Sequence, residues 1–233
     1  MRAKATVARH VPVLKDVGGS STVPGIVSRV RAKLAWPSGT VSGLWHRPDE
    51  PTALVLTHGA GGDLDDPVLR GLGERLDCAV LRFNLPYREA GRRSPGSPKQ
   101  AEDCWRAVAK AVTQDHDRVF VGGKSYGGRM ASHVVADGFA VDGLVLLSYP
   151  LHPPGKPDRL RDEHLPRVGV PMLFVQGTKD PFATPDLLRR TLGRLPRASL
   201  VAVDGGDHSL RVRARPQADV LDEIAAAVSV FMA

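Results

Sequence analysis

From Pro51 onward, short apolar runs alternate with segments suited to helices. The apolar runs are ALVLTHG, CAVLRFNLP, RVFVGG, GLVLLSYP, MLFVQG and SLVAVDGG, and the segments between and after them are DPVLRGLGERL, PKQAEDCWRAVAKAVTQ, GGRMASHVVAD, TPDLLRRTLGRL and QADVLDEIAAAVSVFMA. A strand that is apolar along its whole length has both faces covered, which is typical of a parallel sheet between two layers of helices. The pattern therefore predicts a doubly wound α/β fold.

The chain before Pro51 has a different pattern. VRAKLAWP and VSGLWHRP show partial alternation of apolar and polar residues and are separated by Ser38 and Gly39, which predicts an antiparallel hairpin at a sheet edge. The first residues are rich in arginine, with a faint transit-peptide character. We expect a frayed or edge-packed N-terminal extension over residues 1–28 and a single domain over residues 29–233, a length that can bury one sizeable core.

The composition excludes several classes of protein. With 42% hydrophobic and 24% charged residues, the chain is typical of a globular domain and is neither disordered nor fibrous. The net charge is +7, but the arginines are scattered without a basic tract, so we expect no nucleic-acid partner. No apolar run reaches the ~18 residues of a membrane helix, and the N-terminus lacks the apolar stretch of a signal peptide. We therefore expect no membrane association.

The two cysteines, Cys78 and Cys104, have neither the spacing of a metal site nor that of a redox dithiol. Their pattern predicts a reducing compartment, the cytoplasm, and no bound metal. The sequence leaves open whether the protein is a monomer or a homodimer.

The segment RVFVGGKSYGGRMASHVV carries the strongest chemical signal. In it an apolar strand runs through Gly123, Lys124, Ser125, Tyr126 and Gly127 into a helical pattern. A serine on a strained strand-to-helix turn needs small flanking residues, because a Cβ there would strike the neighbouring strand and helix. The turn also directs backbone N–H groups at whatever is bonded to the serine. We predict that Ser125 is a nucleophile.

Two further residues fit the chemistry that this serine needs. A serine hydroxyl becomes a good nucleophile when a base accepts its proton and an acid orients that base. Asp180 follows the run MLFVQG and His208 follows SLVAVDGG, in the order expected after such a turn and at the edge where parallel strands end. We predict the triad Ser125, Asp180 and His208. Alternatively, Asp180 is only a turn former, Asp204 or Asp207 is the acid, or His208 is a solvated loop residue.

A triad also needs donors for the oxyanion that forms on a substrate carbonyl. The segment HGAGG follows the first apolar run, and we predict the donors to be the N–H groups of Ala60 and Tyr126, with Gly61 as second choice. His58 is expected to fix this loop rather than to act as a base. Alternatively, GAGG is only a flexible strand-to-helix turn.

Two phosphate-loop motifs are excluded. GKS is part of a Walker A motif, but the position that requires a glycine five residues before Gly123 is Arg118. HGAGGDL is similar to part of a dinucleotide-binding motif, but its third glycine position is Leu64. We expect no organic cofactor.

Taken together, GGKSYGGR, HGAGG, FNLPYREAGRR, VQGTKDPF and GGDHSL resemble the dienelactone-hydrolase-like branch of the α/β hydrolases. SYPLHPPGKPDRLRDEHL makes the chain most similar to the testis-expressed hydrolase-like proteins and their bacterial relatives, from about Leu34 to the C-terminus. The resemblance implies an eight-stranded, mostly parallel sheet with little or no cap domain. The namesake dienelactone hydrolases use cysteine where this chain has Ser125, so their substrate is not transferred. Eukaryotic relatives include a subunit of a histone-acetyltransferase complex, which adds a partner-binding scaffold as an alternative.

The longest irregular segment on the catalytic side runs from Leu151 to about Val168, and such loops usually set substrate choice. We expect substrate contacts from Gly61, Lys124, His152 and Lys156. A basic mouth formed with Arg88, Arg92, Arg93, Arg159 and Arg161 would attract an anionic ester; alternatively, these residues form a solvated rim balanced by acidic neighbours. The sequence thus predicts hydrolysis of a small ester through an acyl-enzyme, the alternatives being a catalytically silent scaffold and an acyltransferase that uses the same triad.

Overall fold

The computed structural model describes residues 14–15 and 28–233. The rest of the expected N-terminal extension lies outside the described residues. One sheet is formed by β1 (Leu14–Lys15), β2 (Arg29–Trp36), β3 (Gly39–His46), β4 (Thr52–Thr57), β5 (Ala79–Phe83), β6 (Arg118–Lys124), β7 (Gly143–Leu147), β8 (Met172–Gly177) and β9 (Ala198–Val203). The helices are α1 (Pro67–Arg75), α2 (Pro86–Glu89), α3 (Pro98–Val112), α4 (Tyr126–Ala136), α5 (Pro185–Leu192) and α6 (Gln217–Met232).

The strands lie in the order β1-β2-β3-β5-β4-β6-β7-β8-β9. β2 and β3 form the expected antiparallel hairpin, with Trp36 opposite Gly39, and β3 runs antiparallel to β5. From β5 to β9 every neighbouring pair is parallel. The eight-stranded, mostly parallel sheet is therefore confirmed as β2 to β9, and β1 adds two residues antiparallel to β2 at the edge.

Alternate residues of the central strands face two separate apolar cores. Val55 of β4 packs in the core that includes Trp105 of α3, whereas Leu54 and Leu56 pack in the core that includes Ile224 of α6. Because both faces are covered, the central strands are apolar along their length.

Prolines begin several of the helices. Pro67, Pro98 and Pro185 each occupy the first helical position, where the missing N–H has no intrahelical partner to lose. Asp66 caps α1 by accepting hydrogen bonds from Val68 N and Leu69 N. These signals agree with the helix starts expected from the sequence, but α2 begins at the end of the run CAVLRFNLP, where no helix was predicted.

No α-helix interrupts residues 148–171, all of which the structure describes, and a single 3₁₀ turn at Leu165–Arg167 is the regular element in this segment. The carboxyl edge of the sheet is therefore not covered by a helical insertion between β7 and β8. Within the described part of the chain, no helix is both long and apolar enough to cross a membrane.

Both cysteine thiols are free. Burial raises the pKa of Cys78 to about 11 and that of Cys104 further still. Both side chains are therefore thiols at neutral pH.

Candidate active site

Ser125 lies on the turn between β6 and α4 with φ 49° and ψ −114°, in a region that non-glycine residues rarely adopt. Its N–H donates to the carbonyl of Leu147 at 2.8 Å. The flanking glycines are required by space: a Cβ on Gly123 would lie 2.2 Å from the Thr57 carbonyl oxygen, and one on Gly127 would lie 2.6 Å from the His58 carbonyl oxygen. The turn thus presents the serine side chain at the carboxyl edge of the sheet.

Ser125, His208 and Asp180 form a continuous chain of hydrogen bonds. His208 Nε2 lies 2.9 Å from Ser125 Oγ, and His208 Nδ1 lies 2.7 Å from Asp180 Oδ2. Since a carboxylate accepts at Nδ1, that nitrogen carries the proton and Nε2 is left to accept from the serine hydroxyl. This is the arrangement that general-base activation of a serine requires.

The Asp180 carboxylate is fully buried and its oxygens are held by its own loop. Oδ1 accepts from the N–H of Phe182 at 2.8 Å, and Oδ2 accepts from the Gln176 amide as well as from His208. The Phe182 ring also lies against the His208 ring, with centroids 4.3 Å apart. The sequence analysis did not identify Phe182 or Gln176, although both lie within four positions of the predicted acid.

The two competing acids have other hydrogen-bond partners. Asp207 Oδ1 accepts from the N–H groups of Ser209 and Arg211, and so closes the loop that carries His208. Asp204 Oδ1 accepts from Thr178 Oγ1 at 3.1 Å. Of the three candidate acids, Asp180 is the one hydrogen-bonded to His208.

The loop after β4 passes beside Ser125. A Cβ built on Gly59 would lie 3.3 Å from Ser125 Cβ and 3.9 Å from its Oγ. Ala60 follows in an exposed position, and Tyr126 is the first residue of α4. Among the described residues, none accepts a hydrogen bond from the N–H of Ala60 or Tyr126. Both predicted donors are therefore free to bind a ligand oxygen.

His58 fixes the start of this loop. Its Nε2 accepts from the N–H of Leu85 at 3.1 Å, so Nδ1 carries the proton and donates to the Gly59 carbonyl at 2.9 Å. The Tyr87 hydroxyl donates to the same carbonyl at 3.2 Å. Burial lowers the pKa of His58 and raises that of Tyr87 to about 12, so both groups stay neutral. His58 is thus placed to orient the loop.

The far end of the same loop is held by β5 and α2. Asn84 Oδ1 accepts from the N–H of Leu64 at 2.8 Å, and the buried Arg82 guanidinium donates to the Leu64 carbonyl. Arg88 of α2 pairs with Asp63 at 3.1 Å. None of these three supporting residues was identified as such from the sequence, because their partners lie about 20 positions earlier on another element.

The residues predicted to contact substrate lie in different environments. The Lys124 ammonium pairs with Asp66 at 2.9 Å at the start of α1, and both side chains are nearly buried. His152 is buried, with Nδ1 donating to the Pro153 carbonyl and its backbone N–H donating to the Phe182 carbonyl, beside the acid loop. Lys156 and Gly61 are exposed.

Two charges of the predicted basic mouth, those of Lys124 and Arg88, are therefore compensated inside the protein. Another basic region adjoins the triad. A cavity of about 530 Å³ is lined by Lys124 and Ser209, the neighbours of Ser125 and His208, and by Pro67, Val68, Arg211, Val212, Arg213, Arg215 and Gln217. Of these arginines, Arg215 pairs with Glu223 at 2.9 Å.

Among the described residues, no group of three or more His, Cys, Asp or Glu side chains could hold a metal ion. The residues that meet at the carboxyl edge are a serine hydroxyl hydrogen-bonded to an imidazole, a buried carboxylate hydrogen-bonded to the same imidazole, and two backbone N–H groups with no acceptor among the described residues.

A mostly parallel sheet with a serine on a left-handed strand-to-helix turn, hydrogen-bonded to a later histidine and acid, defines the α/β-hydrolase class. Residues 50–233 match the family model described as alpha/beta hydrolase domain, and the chain belongs to that family.

Solved structures with the same fold include three hydrolases. A serine hydrolase without a lid from Xanthomonas campestris is 20% identical, with a TM-score of 0.68 over 91% of this chain and 95% of that one. Dienelactone hydrolase from Anabaena variabilis is 21% identical, with a TM-score of 0.67 over 88% and 96%. An esterase from Pyrococcus furiosus is 16% identical, with a TM-score of 0.71 over 97% of both chains.

Proposed function

We propose that the protein is a serine hydrolase that cleaves a small ester through an acyl-enzyme. The observation that carries this proposal is the hydrogen-bonded chain from Ser125 Oγ through His208 to the buried Asp180 carboxylate. Solved proteins of the same fold that are described as esterases and as a dienelactone hydrolase support the ester class.

In the first half-reaction Ser125 Oγ attacks the ester carbonyl while His208 Nε2 takes the hydroxyl proton. The free N–H groups of Ala60 and Tyr126 stabilise the tetrahedral oxyanion, and Asp180 stabilises the imidazolium. His208 then protonates the leaving alcohol, which departs and leaves Ser125 acylated.

In the second half-reaction His208 removes a proton from water, which attacks the acyl carbonyl. Collapse of the second tetrahedral intermediate returns the proton to Ser125 and releases the acid. This sequence uses side chains and backbone N–H groups of the chain itself.

We infer that the ester carries a negative charge. The cavity beside the triad has two arginines, Arg211 and Arg213, with no carboxylate partner among the described residues, and a positive cavity raises the local concentration of an anionic substrate. We propose substrate contacts from the exposed Gly61 and Lys156 and from His152, which lies beside the acid loop. Lys124, which lines the cavity, is proposed to contact the substrate there.

We also place the chain with the testis-expressed hydrolase-like proteins within its family, on the SYPLHPPGKPDRLRDEHL segment. Residues 29–233 are proposed as its single domain, and the cytoplasm as its compartment.

A labelling experiment tests the proposed function. We expect a fluorophosphonate probe to label the wild-type protein and short p-nitrophenyl esters to be hydrolysed, with both signals lost in Ser125→Ala and kcat reduced by at least about 10⁴-fold. Ser94→Ala, an exposed serine remote in sequence from the triad, is the matched control and should keep both signals. Absence of labelling and of turnover in folded wild-type protein would contradict the proposal.

A second comparison tests the substrate charge. An ester with a carboxylate on its acyl group should have a higher kcat/KM than its neutral isostere, and added salt should reduce the difference. A preference for the neutral ester would remove the inference about charge and leave the ester hydrolase itself standing.

A further inference from the structure

A second cavity lies along α4, away from the triad. Its volume is about 300 Å³, and it is formed between α4 and the segment that connects β7 to β8. The residues that line it are Arg129, His133, Leu160, Arg161, Glu163, His164 and Arg167. Arg129 and His133 lie one and two helical turns after Ser125, so the cavity is on the flank of the helix that begins at the serine.

Arg129 is the central cation of this cavity. Its guanidinium lies 5.8 Å from the centroid of the Tyr126 ring, and its Nε is buried with no hydrogen-bond partner among the described residues. No described carboxylate lies within 4.0 Å of it. A half-buried guanidinium is normally paired, because removing its N–H groups from water without a partner is costly.

Arg161 is a second cation with no carboxylate partner among the described residues. It is half-buried. Burial and the nearby Arg129 lower the pKa of Arg161, so the two cations repel each other across the cavity. Two half-buried guanidinium groups therefore share one cavity, and neither has a described carboxylate within 4.0 Å.

The surrounding acidic side chains compensate for these charges only in part. Asp137 pairs with Arg106 at 2.8 Å and lies 4.0 Å from Arg167. Glu102 lies 3.9 Å from the neutral His133 ring and interacts electrostatically with Arg129, although it forms no ion pair with it. Glu163 lines the cavity but is exposed and forms no ion pair within the described part of the chain. The balance of charge inside the cavity is positive.

The two histidines of the cavity add no positive charge to it at neutral pH. Their rings are stacked with centroids 3.8 Å apart. Ser132 Oγ donates to the Arg129 carbonyl, so it accepts from His164 Nε2 at 2.7 Å. Burial, with His133 and Arg129 nearby, lowers the pKa of His164 to about 3, and burial and Arg129 lower that of His133. Both rings are neutral at pH 7 and line the cavity as a stacked pair.

We propose that this cavity binds a phosphoryl group, as inorganic phosphate or as the phosphate of a small molecule, at a site separate from Ser125. Guanidinium N–H groups match phosphate oxygens in geometry, and a dianion balances the two unpaired arginines, whereas a single carboxylate would leave one of them unpaired. The volume is sufficient for a group of this size.

Isothermal titration calorimetry of the full chain tests the site, in phosphate-free buffer at pH 7.5 and fixed ionic strength. The probes are inorganic phosphate, phenyl phosphate and, as monoanion control, acetate. We expect saturable binding of one phosphate probe per chain, and at least tenfold weaker binding of acetate. Saturation by inorganic phosphate indicates a site for the free ion, and saturation by phenyl phosphate alone indicates a site for a phosphate ester.

Three variants locate the binding. Arg161→Gln should weaken phosphate binding at least tenfold. Arg213→Gln, which removes the same charge from the cavity beside the triad, and Ser125→Ala should leave it unchanged, and the measurement needs no turnover, so it does not depend on the proposed function. In the wild type, NMR should show the pKa of the His133 ring rising when phosphate is added.

The proposal is overturned if the wild type shows no saturable binding, if Arg161→Gln binds as tightly as the wild type, or if Arg213→Gln or Ser125→Ala abolishes the binding. The NMR titration keeps the test valid if Arg161→Gln does not fold: an unchanged His133 pKa in saturating phosphate contradicts the site without any variant.

Discussion

The positive φ of Ser125 is maintained by the atoms that pack closely around its turn. Gly123 has φ 149°, and the place of its missing Cβ is occupied by the Thr57 carbonyl of the neighbouring strand. The strain at the serine is therefore maintained by the close contact of β6 with β4.

We expect Gly123→Ala to lower the free energy of unfolding by about 3 kcal/mol or more, because the methyl group would have to displace backbone rather than a flexible side chain. Gly169→Ala is the control, since a Cβ there meets nothing within 4 Å; its effect should stay within about 1 kcal/mol. Urea denaturation measures both. Equal stability of the two variants would show that the turn tolerates a side chain.

The sequence predicted that the three triad residues lie close together, but it predicted few of the contacts that their neighbours make. Ser125, Asp180 and His208 each follow an apolar run, and parallel strands end at one edge, so their proximity could be predicted. The pairing of Lys124 with Asp66 could not be, because it joins positions far apart and depends on which way the side chain leaves the turn.

Among the elements, the short helix α2 and the end of β5 act as a support for the loop that carries Ala60. Asn84 links the two, since its Oδ1 accepts from Leu64 N and its Nδ2 donates to Glu89 of α2 at 2.8 Å. A helix of four residues is too short to show periodicity, which is why the sequence did not predict it. Periodicity also could not predict that Arg82, which lies inside an apolar run, is buried and donates to the Leu64 carbonyl of this loop.

We predict that Asn84→Ala lowers kcat of the proposed esterase about tenfold with little change in KM, because a displaced N–H donor weakens stabilisation of the oxyanion more than ground-state binding. Its stability should fall by about 1 to 2 kcal/mol. Ser42→Ala removes a different hydrogen bond to Glu89 and should retain the wild-type kcat. Steady-state kinetics on a p-nitrophenyl ester compares them; the same kcat in both variants would show that Asn84 does not position the loop.

For the whole molecule, buried histidines make stability depend on pH. His46 is fully buried beside Arg82; burial first, then Arg82, lowers its pKa to about 4, and the pKa of His164 is about 3. Below the unfolded-state pKa of about 6.5, the unfolded chain binds protons that the folded chain does not, so stability falls as the pH falls.

We expect His46 and His164 each to lower the free energy of unfolding by about 2 kcal/mol between pH 7 and pH 5, and this free energy to go on falling as the pH approaches the folded-state pKa values. Urea denaturation in phosphate-free buffer measures this, and His164→Asn should show a shallower dependence than the wild type. A free energy that is constant from pH 7 to pH 5 would be inconsistent with neutral buried rings.

The state of the two thiols has a practical consequence for spectroscopy. Because neither Cys78 nor Cys104 ionises near neutral pH, maleimide dyes should react slowly with the natural chain. A single cysteine introduced on the exposed part of the segment between β7 and β8, at Lys156 for instance, would then carry nearly all of the fluorophore. The protein thus provides a low background against which movement of that segment can be followed by fluorescence during turnover.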